Sequence, residues 1–156
     1  MALKNYTSQV PASRSINHIE DVLVGHKASQ VLKLYGPDER IAAMAFMVPI
    51  DGVEIPFKLP ARVVECERVL KAAVKKPTNE TYRRIAAQAE RTAWKIVSDW
   101  VDAQMAMVEL AQVDLMEVFL PYIYDHQRKQ TYFEQLKEKG FQKCLPTVAA
   151  MPTASG

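Results

Sequence analysis

The 156 residues are enough for one domain with a substantial core, since single cores usually serve chains of roughly 100 to 200 residues. Apolar residues at 49% and charged residues at 24% are globular proportions and argue against a wholly disordered, collagenous or fibrous chain. A formal charge of +2 excludes strong whole-molecule attraction to phosphate backbones, so electrostatic recognition has to come from local clustering.

Residues 1–12 and 145–156 lack a periodic pattern and read as flexible segments flanking a single α+β domain over 13–144. The start, Met1 to Ser8, has no apolar core of the secretory kind. The longest apolar run, Ile41 to Ile50, contains Pro49 and is half a membrane span, so no membrane association and a cytoplasmic setting are expected. Cys66 and Cys144 belong to no paired ligand motif, which favours a reducing compartment.

Ser13 or Ser15 is placed to cap a first helix through about Val24, with Ile16, Ile19 and Leu23 on one face and Gly25 ending it. Gln30 to Tyr35 alternates as a strand does, and Gly36-Pro37-Asp38 is turn chemistry. Asp51-Gly52 between two apolar runs suits a two-residue type I′ hairpin. That turn fixes a register in which Ile50 opposes Val53, Val48 Ile55, Phe46 Phe57 and Met44 Leu59, all on one face of the ribbon. Pro56 has no N–H to give a ladder and marks the third strand as an edge.

Pro60 is suited to open a helix to about Val74, with Val63, Cys66, Leu70 and Ala73 on one face, which Lys75-Lys76-Pro77 stops. Thr78 or Asn79 then caps the longest helical pattern in the chain, running to about Gln112. From Trp94 onward it carries two apolar stripes, one through Ala93, Ile96 and Trp100 and another through Trp94, Val97, Val101 and Met105, which predicts a central, buried helix. Asp114 with Glu117, and Thr131 with Glu134, resemble helix-opening capping arrangements, and Gly140 ends the second. The expected fold is α+β: an N-terminal helix, a three-stranded antiparallel sheet, then a helix-rich C-terminal half built on one long central helix.

Catalytic and metal signatures are missing from the pattern. His18, His26 and His126 stand apart, and Gly25 separates the local structures of the first two, so surface or capping roles are expected. Cys66 falls on an apolar helix face, where a thiol is inert, and Asp99 with Asp102 reads as a solvated face rather than an acid–base pair. The sequence has only five glycines and lacks the common phosphate-cradling loops; no cofactor and no metal are expected, and binding is favoured over catalysis.

Charge distribution is the informative remainder. From Lys71 to Lys95 seven basic residues meet two acids, whereas Asp99, Asp102, Glu109, Asp114, Glu117 and Asp125 follow without an intervening Lys or Arg. Cations in the early turns of a helix oppose the macrodipole preference, so helix stability does not account for them. Lys75, Lys76, Arg83, Arg84, Arg91 and Lys95 are therefore the candidate nucleic-acid-binding residues, with a balanced, solvated face as the bland alternative.

The stretch Ala89-Glu90-Arg91-Thr92-Ala93-Trp94-Lys95-Ile96-Val97-Ser98-Asp99-Trp100-Val101-Asp102-Ala103-Gln104, with Phe119-Leu120-Pro121-Tyr122 beyond it, resembles a family of small phage and prophage proteins. That resemblance covers about residues 10–146 and implies a mobile-element origin, action in the host cytoplasm, and a part in phage DNA metabolism or in countering host defence. Through Val74 the helix, three strands, helix order is also similar in topology to a double-stranded-RNA-binding domain, although only Arg62 matches the basic start of that family's second helix. The leading expectation is a non-enzymatic accessory protein that engages nucleic acid or a nucleoprotein. The alternatives are an inhibitor of a host protein, a homo-oligomeric scaffold in which basic and acidic helix halves pair, or a sponge for a nucleotide signal.

Overall fold

The computed structural model describes residues 3–146. Asp51 and Gly52 both adopt left-handed backbone, at φ 51° and 80°, as the predicted hairpin turn requires. They join β2 (Ile41–Ile50) to β3 (Val53–Pro60) in the register read from the sequence, with Ile50 opposite Val53, Phe46 opposite Phe57 and Met44 opposite Leu59. β1 (Gln30–Tyr35) pairs antiparallel with β2 on its other side, so the sheet order is β1-β2-β3 and Pro56 lies on an edge strand.

One sheet face forms the core. Met44, Phe46, Val48, Phe57 and Leu59 are buried there, while Ile50 and Ile55 are half-buried and Val53 at the hairpin tip is exposed. Ile16, Ile19 and Leu23 of α1 (Ala12–Gly25) complete that core, together with Trp94, Val101 and Met105 of α3 (Asn79–Glu109). α2 (Val63–Ala72) adds Val63 and Cys66 to it. Burial pushes the Cys66 thiol pKa up, which keeps it protonated and unreactive.

Two local expectations are corrected. Neither Ser13 nor Ser15 caps α1: the helix begins at Ala12 behind Pro11, which stands at the N-cap position at φ −57° and ψ 142° without a side-chain cap, and Ser15 is buried inside the helix. Pro60 ends β3 instead of opening α2, because its partner Ala43 extends the ladder and the Ala61 N–H donates to the Ala42 carbonyl. Arg62, in left-handed backbone at φ 55°, then redirects the chain into α2 at Val63.

Thr78 caps α3, its hydroxyl accepting from the Thr81 N–H. Asp114 and Glu117 form a reciprocal capping box for α4 (Leu115–Phe119), which continues into a short 3₁₀ turn (Leu120–Tyr122). A two-stranded ribbon follows, β4 (Tyr124–Asp125) with β5 (Gln130–Thr131); strands this short leave no alternating pattern to read in the sequence. Thr131 caps α5 (Tyr132–Lys139), Gly140 at φ 87° breaks it, and α6 (Phe141–Cys144) closes the described chain. The expected C-terminal tail from residue 147 onward lies outside the described residues. No described helix is long and apolar enough to cross a membrane.

Candidate nucleic-acid interface

The six candidate cations divide into two groups with different fates. Lys75 and Lys76 occupy the connection between α2 and α3, where Lys76 has left-handed backbone at φ 56°. Arg83 and Arg84 project from the first turns of α3. All four are exposed, and among the described residues none forms an ion pair. Glu80 is the only carboxylate between residues 75 and 84.

Arg91 and Lys95, further along the same helix, are half-buried and engaged within the chain. The Arg91 guanidinium donates to the Ser8 carbonyl at 3.3 Å and to the Gln88 side-chain carbonyl at 2.6 Å. Lys95 lies 2.9 Å from Asp99 in an i, i+4 pair. Their partners belong to a dock for the N-terminal segment. Thr92, fully buried, donates to the Asn5 carbonyl at 3.0 Å, Gln88 donates to the Ser8 carbonyl at 3.1 Å, and Asn5 donates to Asp99 at 2.9 Å. Residues 3–8 thus lie along α3 on hydrogen bonds, a mode of attachment that leaves no hydrophobic period in the sequence.

Desolvation acts to raise the Asp99 pKa, but hydrogen bonds from Lys95 and Asn5 and the charges of Lys95 and Lys4 together outweigh it, holding the carboxyl below its ordinary 3.8. Asp102, expected with Asp99 as a solvated acidic face, accepts from His18 Nε2 at 2.7 and 2.9 Å. The expected pairing of basic and acidic helix halves between copies therefore lacks two of its acids, which already have partners inside the chain.

A second ion-pair knot was not legible in the sequence. Arg40 donates to Glu67 of α2 at 3.0 Å, to Asp38 at 2.8 Å and to the Ala86 carbonyl of α3 at 3.2 Å, while Lys71 pairs with Glu67 at 2.8 Å. The Lys71 hydrogen bond is the largest cause of the lowered Glu67 pKa; burial opposes it and Arg40 reinforces it. Lys71 also lies 5.1 Å from the Tyr82 ring, so this cation is committed as well.

Arg84 borders a cleft of about 370 Å³ between the N-terminal segment, the end of α2 and the start of α3. Tyr6, Leu70, Ala73, Val74 and Ile85 are among its walls. The histidines take separate places: His26 Nδ1 donates to the Val22 carbonyl at 2.9 Å and the His126 ring sits edge-on to Tyr124. Among the described residues no group of three or more His, Cys, Asp or Glu side chains is arranged to hold a metal ion. Comparison of the chain with protein-family models, with curated proteins and with solved structures found no match.

Proposed function

We propose that the protein is a non-enzymatic binding protein that engages nucleic acid, alone or in a nucleoprotein, through phosphate contacts at the α2–α3 corner. The observation that carries this reading is that Lys75, Lys76, Arg83 and Arg84 are exposed, close in sequence and free of carboxylate partners among the described residues. Exposed cations already matched by acids gain little from a phosphate, whereas unmatched ones release counterions when they meet it. Arg91 and Lys95 then serve as internal braces, and the contact strip shortens to four cations. The resemblance to small phage proteins suggests phage or prophage DNA metabolism as the setting.

The reading predicts a salt dependence. Four phosphate contacts give a slope of log affinity against log salt of about −3 to −4, steeper for duplex than for single strands. Replacing Lys75, Lys76, Arg83 and Arg84 together by Glu should remove binding measured by fluorescence anisotropy, while reversing Lys137 and Lys139 at the end of α5 should leave it intact. Absence of binding to single- and double-stranded DNA and RNA at every ionic strength would falsify the proposal.

A further inference from the structure

The cleft beside Arg84 combines features that the neighbouring clefts do not. Its floor and one wall are apolar, made by Leu70, Ala73, Val74 and Ile85. Tyr6 stands at its edge half exposed, an aromatic face left without full cover. Its lining holds Arg84 and no carboxylate. Three other arginine-lined clefts among the described residues each contain an acid that repels an anion: Glu134 beside Arg62, Glu90 beside Arg91, and Asp38 with Glu65 beside Arg40. A volume of about 370 Å³ lies at the low end of ligand-sized pockets, which run from roughly 300 to 1,000 Å³.

We propose that this cleft seats one nucleobase and its adjacent phosphate, the base against Tyr6 over the apolar floor and the phosphate on Arg84. A base has two π-faces and polar edges, so it gains from stacking on an aromatic ring and from losing water against Leu70 and Ile85. Thr7 and Gln9 in the same lining offer hydrogen-bonding groups to the edges of the base. The guanidinium supplies the planar, multiply donating partner that a phosphate prefers. Lys75 and Lys76, which follow Val74 directly, extend the cationic surface toward the next phosphate of a strand. The inference rests on the reading of the α2–α3 corner as phosphate-binding and names its preferred ligand: an unpaired nucleotide, either free or within a single strand.

The test compares a short labelled single strand, a duplex of equal length and a panel of nucleoside monophosphates against the full chain and its Tyr6→Leu, Tyr6→Phe and Arg84→Gln variants. The single strand should bind more tightly than the duplex. Tyr6→Leu should weaken the single strand by about five- to a hundred-fold and leave the duplex unchanged, in line with the worth of one base–aromatic stack. Tyr6→Phe should retain the affinity, which separates stacking from loss of fold, and Arg84→Gln should weaken both nucleic acids. A monophosphate that raises the melting temperature of the native chain and not of Tyr6→Leu identifies the free nucleotide as a ligand of the same cleft. Equal affinity for both strands, unchanged by Tyr6→Leu, overturns the cleft assignment and leaves the phosphate-binding reading standing. Monophosphate binding without any binding of strands does the reverse, and no binding of any probe overturns both.

Discussion

Trp94 joins two requirements in one side chain. Its indole is fully buried in the core, and its Nε1–H donates to the Ile41 carbonyl at 3.2 Å, which fixes the start of β2 to the middle of α3. Arg40, one residue earlier in the chain, reaches the Ala86 carbonyl, so the same strand end is fastened to α3 at points about 12 Å apart along the helix axis. Trp94→Phe removes the donor and part of the ring, stranding a buried carbonyl beside a small void. A loss of about 2–4 kcal/mol in urea unfolding followed by far-UV circular dichroism, with an unchanged denaturant slope, is the expected outcome. The burial of Trp94 was legible in its apolar stripe; the carbonyl it meets was not, because that partner comes from a strand 53 residues away. Arg40 was illegible for the same reason: nothing near it in sequence announces Glu67 or Ala86, and a charged residue beside a turn looks like any other solvated one.

At the scale of elements, signals confined to a few residues proved reliable. Asp51-Gly52 set the hairpin register because both turn positions need left-handed backbone, and Thr78, Asp114 and Thr131 each cap the helix that follows them. Pro60 misled because a proline suits the first turn of a helix and the end of an edge strand equally well, and only the pairing with Ala43 decides between them. The segment 3–8 was read as flexible since it has no period. In the structure it is held by Gln88, Arg91, Thr92 and Asp99, all placed on one side of α3 by the helical repeat. Thr92→Val keeps the shape but takes away the donor to the Asn5 carbonyl and the acceptor for Gln88. Such a change should cost about 1–3 kcal/mol and speed amide exchange in residues 3–8 selectively. Uniform exchange across the whole chain would contradict the docking of this segment on α3.

Across the whole molecule, a net charge of +2 conceals an uneven arrangement in which most acids of the second half of α3 are spent on internal partners while the α2–α3 corner keeps its cations unmatched. The same internal pairs set the acid response. Asp99 and Glu67 have folded-state pKa values below their ordinary 3.8 and 4.5, so the unfolded chain takes up protons more readily at these sites. Their stabilisation is complete above the ordinary values and disappears as the pH falls through the lowered folded ones. Melting temperatures measured down an acid series should fall less steeply for Asp99→Asn and for Glu67→Gln than for the native chain; parallel curves would show that neither carboxylate contributes. Sequence alone determined the order of the main elements, the register of the hairpin and the burial of the long helix, because helical period, turn backbone and capping are decided within a few residues. Only the tertiary structure decided the difference between Arg84 and Arg91, which share one helical face: the crossing N-terminal segment occupies Arg91 through the Ser8 carbonyl and leaves Arg84 exposed, whereas the pairing of Lys95 with Asp99 is an i, i+4 contact inside α3 that follows from helical spacing alone.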